Sequence, residues 1–395
     1  MDTLQLVGQI LIFLLGLASA WTLPLDGGGA KAVDDMFMIG EITQWIQANG
    51  GTISKKVQVK HISGSLSGLF ATENVEAGEV LAIIPWTLIL VPFSHKADRC
   101  DKAERLRDAV MTKDSKDQNP YERYLATRTR EHIPLFWSSK SKEILEELMT
   151  DFETRGFSDE MTDVCDDRML DEGFQQAYML LQTRGEGYYG DLLIPFEDLL
   201  NHRNGNHTNV QPEILAGKYV RIVTTRAVTT GEQYQNSYNK CPSCKALFTN
   251  PQLPIGFQVT SQLFEDYGFV ESVPQRWVLP EVRMIFDVVQ SQTEDADDED
   301  AAVVFAVPPS FRGWYHLRRR LYELAVFEEE YGERSDIPEV ELEGIFSMHE
   351  AIVDAYSLAL YHYSEGYVSE KVWSKDPESW HLETGYQEEI AIDEL

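Results

Sequence analysis

The sequence predicts an α+β chain: a short-stranded β region, split by a helical insert and followed by a mostly α-helical C-terminal domain. Three observations carry this. Alternating runs, Val57-Gln58-Val59 and Tyr219-Val220-Arg221-Ile222-Val223, read as strands with one buried face, and they flank a long stretch without that period. Inside that stretch, residues 96–184, Ile144, Leu145 and Leu148 and then Phe174, Tyr178 and Leu181 recur at helical spacing. Beyond the acidic run 294–300 (EDADDED), two helical stripes follow: Trp314, Leu317, Leu321 and Leu324, then Ile345, Met348, Ile352 and Ala355.

In chain order, residues 4–17 form an apolar run closed by Ala18-Ser19-Ala20, a small-x-small cleavage site, so 1–20 reads as a secretory signal peptide. The run is shorter than a membrane span requires, and no stable span is expected after cleavage. The n-region, Met1-Asp2-Thr3, departs from the usual pattern in lacking a basic side chain. At the other end, residues 392–395 (IDEL) resemble a KDEL-type retrieval tail. Together the two ends predict the endoplasmic reticulum lumen or secretory pathway. The alternative is the plastid of complex-plastid algae, whose presequence junction Ala18-Ser19-Ala20-Trp21 resembles. Asp26, Asp34 and Asp35 against a lone Lys31 run counter to it.

Segment 21–51 begins Gly-rich and flexible through Ala32, then turns into a helix over 35–48 with Phe37, Ile42, Trp45 and Ile46, stopped by Asn49-Gly50-Gly51. Residues 57–85 read as β-structure: Gly64-Ser65-Leu66-Ser67-Gly68 turns into a strand, Ala77-Gly78 marks a hairpin, and 80–84 is a buried strand. After the insert the chain returns to β-structure past Val210, and Gly231-Glu232 turns into a strand ending on Tyr238.

Lys and Arg number 34 against 65 Asp and Glu, a formal charge of −31. That balance argues against nucleic acid, which is held by clustered cations. It suits a basic protein partner, and it equally keeps the chain soluble. Four cysteines, Cys100, Cys165, Cys241 and Cys244, are too few for a disulfide-built scaffold. Cys241-Pro242-Ser243-Cys244 admits half a zinc site, a redox pair or a local disulfide. No second pair lies nearby, so no metal is assigned, and in an oxidising lumen the disulfide is favoured.

The chemistry concentrates in residues 191–270. Pro195, Asp198, Asn201 and His202 form a Pro-x-x-Asp-x-x-Asn-His run. Gly231-Glu232 opens the strand that ends on Tyr238, and Tyr267-Gly268-Phe269 follows. Polar groups able to grip a small molecule thus stand beside tyrosines able to line a narrow channel. In this order the three motifs resemble the SET-domain methyltransferases. The branch is that of the Rubisco large-subunit lysine methyltransferase and the actin-histidine methyltransferase.

The resemblance implies a SET-domain β-clip core over 52–273, interrupted by the helical insert, then a helical C-terminal domain over 274–390. It implies S-adenosyl-L-methionine as cofactor and a lysine-bearing protein as substrate. It assigns Tyr238 as catalytic, and Ser65, Ser67, Gly68, Arg184, Asn201, His202 and Phe269 to the cofactor. Asp198 and Tyr267 fall to the acceptor channel. Two departures stand out: Leu66 replaces the first glycine of the Gly-x-Gly-Leu segment, and a cysteine-containing stretch follows Tyr238. They keep open a catalytically inactive SET module that binds a protein in the secretory pathway, and Cys241 with Cys244 keep open a lumenal redox partner. Because the resembled branch includes a histidine-modifying member, a histidine methyltransferase is a further alternative.

Methyl transfer to lysine needs a neutral amine. With a free pKa of about 10.4, the amine must lose its proton to the site. A dry aromatic channel favours that loss by disfavouring the ammonium. Tyr238 is then expected to orient the amine rather than to act as a base.

Overall fold

The computed structural model describes residues 28–63, 66–90, 97–128, 133–152, 154, 162–185, 191–238, 258–271, 273–290, 301–306, 310–332 and 334–367. The signal peptide, Ser65, Cys241, Cys244, the acidic run and the retrieval tail lie outside the described residues.

Helix α1 (Gly28–Ala48) starts inside the stretch expected to be flexible, because Ala30 and Ala32 carry helix formation back past the glycines. Its buried face is Ile39, Ile42 and Ile46; Phe37, expected inside, stands 68% exposed. Gly50, at φ 86°, ends the helix, and the Gly51 amide returns to the Ile46 carbonyl at 2.9 Å.

Two four-stranded sheets follow. One has strand order β1 (Thr52–Ile53), β4 (Val80–Pro85), β7 (Tyr219–Thr224), β6 (Val210–Leu215). The other runs β2 (Val57–Ser63), β3 (Leu66–Ala71), β8 (Gln233–Asn236), β5 (Asn201–His202). All their pairings are antiparallel except β5 on β8. That parallel pair, Asn201 with Gln235 and His202 with Asn236, joins segments far apart in sequence.

The insert is helical as expected. Helix α2 (Arg99–Leu106) is capped by Asp98. In α3 (Pro120–Thr127), Pro120 stands at the start and Asn119 with Glu122 forms a reciprocal cap. Helices α4 (Ser139–Leu148) and α5 (Glu172–Arg184) are capped by Ser138 and Asp171. A disulfide joins Cys100 on α2 to Cys165, with Cα atoms 5.6 Å apart and a sequence separation of 65. Closing a loop of that length is worth about 4 kcal/mol through the unfolded chain. Sequence reasoning looked to the Cys-x-x-Cys for a disulfide. The described one is formed by the two cysteines with no motif around them.

After β8 come α6 (Thr260–Tyr267) and a three-stranded antiparallel sheet of β9 (Gln275–Leu279), β10 (Met284–Gln290) and β11 (Ala301–Phe305), in order β11-β10-β9. Helices α7 (Phe311–Leu324) and α8 (Glu339–Tyr367) follow. The α+β class holds, with this sheet added at the head of the C-terminal part.

The described apolar residues gather into two cores. The first joins α1, β3, β4, α2, α5 and the buried run Leu192, Leu193, Ile194, Phe196, Leu199 and Leu200. The second joins the C-terminal sheet and helices, and it takes Ile144, Leu145 and Leu148 of α4 with it.

Candidate functional site

The sheet β2-β3-β8-β5, the ends of α5 and α6, and α3 bring together a small group of side chains. The approach is a buried apolar strap. Leu193 bridges to Leu90, and Asp191 and Phe196 take positive φ of 64° and 74°, which bends the strap. One 3-10 turn, Glu197–Leu199, faces Asp198 inward before β5 begins. Asp191 itself is held by α2: Lys102 Nζ lies 2.8 Å and Arg99 3.3 Å from its carboxylate. Arg99 also reaches Gln182, which donates to Asp266, the neighbour of Tyr267.

The parallel β5–β8 pair places Tyr238, two residues past β8, directly over His202. The Tyr238 amide donates to His202 Nδ1 at 2.8 Å, and its hydroxyl donates to the Leu200 carbonyl at 2.8 Å. Four rings then form a closed circuit. His202 lies 5.0 Å from Tyr238, Tyr238 5.2 Å from Tyr267, Tyr267 5.9 Å from Phe269, and Phe269 5.6 Å from His202, between centroids. Gly268 makes the circuit feasible. At φ 74° it caps α6 in the left-handed conformation and turns the chain between Tyr267 and Phe269.

A second cluster faces β3. The Asn201 amide nitrogen donates to the Ser67 carbonyl at 3.1 Å. Gly68 lies beneath it: a Cβ there would stand 2.5 Å from Gln233 Nε2 and 2.9 Å from Asn201 Nδ2. Gln233 Nε2 is buried with no hydrogen-bond partner among the described residues. The strand that carries these groups is braced by Asn209, which bonds the Gln233 carbonyl and the Gln235 amide at 2.8 Å each.

The third cluster is Arg184, Asp198 and Tyr121. Arg184 Nη1 donates to the Asp198 carbonyl at 3.1 Å and lies 3.7 Å from its carboxylate. Tyr121 donates its hydroxyl to the same carboxylate at 3.2 Å. Burial first, and then the Asp198 charge, push the Tyr121 phenol well up, so it remains a donor. Arg184, assigned by resemblance to a cofactor carboxylate, here grips Asp198.

Of the expected residues, the structure brings His202, Tyr238, Tyr267 and Phe269 into one group, Ser67, Gly68 and Asn201 into another, and Arg184 with Asp198 into a third. Sequence reasoning missed Tyr121, Asn209, Gln233 and Glu271. Glu271 stands with Oε1 3.1 Å from His202 Nε2. Its place two residues after Phe269 was the one available signal; Tyr121 lies in the insert, where nothing marks it. Among the described residues no group of three or more His, Cys, Asp or Glu gathers as a metal site, and no helix is long and apolar enough to cross a membrane.

No family model and no curated protein matches the chain. Solved structures that match include the SET domain of LSMT bound to lysine and AdoHcy, 13% identical with a TM-score of 0.42, covering 88% of this chain and 97% of that one. Rubisco LSMT bound to AdoMet is 13% identical with a TM-score of 0.44, covering 83% and 93%. Rubisco LSMT bound to sinefungin and monomethyllysine is 14% identical with a TM-score of 0.43, covering 88% and 98%. At these values the likeness assigns no role to any residue of this chain.

Proposed function

We propose that the chain is an S-adenosylmethionine-dependent protein methyltransferase acting on a lysine side chain. The observation that carries this reading is the closed circuit of His202, Tyr238, Tyr267 and Phe269, with the Tyr238 hydroxyl fixed on the Leu200 carbonyl. The motifs that resemble the SET methyltransferases supply these rings, in order.

The neighbouring cluster fits the cofactor. Gly68 leaves room that a single Cβ would fill, Asn201 offers an amide, and Gln233 Nε2 is a buried donor without a partner among the described residues. Ser67, Gly68, Asn201 and His202 would hold the cofactor there, with Phe269 packed on the His202 ring. When bound, the cofactor supplies a methyl group on a positively charged sulfur.

The chain's own residues do the rest. The rings exclude water and so disfavour an ammonium in the channel, which leaves the acceptor nitrogen its lone pair. Tyr238 donates its proton to Leu200, so its oxygen faces the channel as a hydrogen-bond acceptor that orients the amine N–H bonds. With a phenol pKa of about 10, it stays protonated and does not act as a base. Asp198, anchored by Arg184 and Tyr121, is the channel's fixed carboxylate. The alignment of nitrogen against methyl carbon is what the site contributes most.

The Cys100–Cys165 disulfide supports reading the two termini as addresses to the secretory pathway, where such bonds persist. The test is calorimetric binding of S-adenosylmethionine to the mature chain, with Asn201→Ala as control, followed by labelled-methyl transfer to candidate proteins. Binding that the substitution abolishes supports the reading. A folded chain that binds none supports the inactive, protein-binding module.

A further inference from the structure

We infer that Glu271 is a positioning residue that fixes the His202 ring, and through it the Tyr238 backbone. Its catalytic meaning rests on the methyltransferase reading of Tyr238; its geometry does not.

His202 Nδ1 accepts the Tyr238 amide at 2.8 Å, so Nδ1 carries no hydrogen. The imidazole proton is then on Nε2, and it needs an acceptor, since the His202 side chain is only 3% exposed. Among the described residues, two groups stand near Nε2. One is the Asn204 amide nitrogen at 3.4 Å, a donor that cannot accept. The Asn204 oxygen is taken by the Ser237 hydroxyl. The other is Glu271 Oε1 at 3.1 Å, also on a side chain 3% exposed. Oε1 lies off the line of the N–H, and among the described residues no other donor is aligned on it. The buried imidazole, 3.1 Å away, is the group that stands against this carboxylate among the described residues.

A filler residue would not be a glutamate. A carboxylate this far from water costs several kcal/mol unless a donor compensates it, and an apolar side chain of similar size would fill the space without that cost. After the left-handed turn at Gly268, Phe269 and Glu271 both reach the same imidazole, one through its ring and one through its carboxylate. If the proton moved to Nδ1, the His202 N–H would face the Tyr238 N–H, and the amide that sets the height of the Tyr238 ring would lose its acceptor.

The experiment reads the tautomer directly, in the full mature chain without cofactor. Histidine labelled with 15N reports Nδ1 and Nε2 separately, and His202→Gln identifies its signals among the nine histidines. The wild type is expected to show a bare, hydrogen-bonded Nδ1 and a protonated Nε2. Glu271→Gln, which keeps an acceptor oxygen, is expected to preserve that pattern. Glu271→Leu is expected to mix the two tautomers. Should the leucine variant fail to fold, Glu271→Asp, which withdraws the carboxylate by one methylene, is read in the same way and is expected to mix them too. An unchanged tautomer in a folded Leu or Asp variant overturns the inference, as does a wild type protonated on Nδ1. Turnover, where a methyl acceptor is in hand, should fall about ten- to hundredfold in the leucine variant, the scale seen when the group orienting a ligating histidine is removed. Failure of the methyltransferase reading shows separately, as absent cofactor binding by the wild type with its tautomer as stated.

Discussion

The Tyr238 hydroxyl proton points at the Leu200 carbonyl, 2.8 Å away, and that one bond separates two roles a phenol can take. Tyr238→Phe should therefore abolish orientation of the amine while leaving the ring circuit in place. Methyl transfer is expected to fall about a hundredfold or more, as on removal of one preorganised polar group. Stability should fall by only about 1 kcal/mol, the net worth of one hydrogen bond. A phenylalanine variant that transfers methyl at the wild-type rate removes Tyr238 from the mechanism. Gly68→Ala makes the matching test on the cofactor side. The new Cβ would press on Gln233 Nε2 and Asn201 Nδ2, so calorimetry should find weaker cofactor binding, by about tenfold for 1.4 kcal/mol of lost contact. At this scale the grouping was legible: Asn201, His202, Tyr238, Tyr267 and Phe269 sit in short runs that the sequence sets in order and the fold brings together. Tyr121 and Glu271 were not legible, because a lone tyrosine in a helix and a lone acid after a motif look like surface until the fold buries them.

The elements were read best where one period dominates. Helices α4 and α5 carry stripes, Ile144, Leu145 and Leu148 and then Phe174, Tyr178 and Leu181, that the sequence displays openly. The sheet β9–β10–β11 was hidden by its own chemistry. Arg276 and Asp287 pair across β9 and β10 at 2.8 Å, with the Asp287 side chain 1% exposed, so charged residues occupy positions that look solvent-facing in the sequence. Helix α8 offers a prediction in which two effects oppose each other. Gly344→Ala would gain about 1 kcal/mol in helix propensity. The added carbon, however, would stand 2.8 Å from the Trp137 ring, whose position in the second core leaves it little room. Overpacking costs about 1–3 kcal/mol, so thermal unfolding should show a net loss. A net gain would mean that the α8–Trp137 contact can open.

At the scale of the whole molecule, one buried carboxylate helps tie the insert into the second core. Asp151, just past α4, accepts from His316 at 2.9 Å, Arg320 at 2.8 Å and Tyr356 at 2.9 Å, which ties the insert to α7 and α8. Burial pushes its pKa up, but the His316 bond and the Arg320 charge outweigh burial and leave it below the ordinary aspartate value. The folded pKa being depressed, its contribution is full above the unfolded pKa of about 3.9 and is lost as pH falls through the lower folded value. Asp151→Ala should cost about 3–5 kcal/mol, as when one partner of a buried charged cluster is removed. It should also flatten the acid limb of the stability curve measured by denaturant titration. An unchanged acid limb would transfer that role to other carboxylates. Chain order hides this seam: it puts α4 in the insert, while packing gives its apolar face to the C-terminal core.

The bond between Cys100 and Cys165 makes the intervening chain a covalent ring. A protease that cuts once inside that ring does not divide the protein. The two pieces migrate as one on a gel until a thiol is added, then separate. Damage to the insert would thus stay invisible to any assay of size run without reductant, and a nicked molecule could keep Arg99 and Lys102 on Asp191 beside an intact ring circuit.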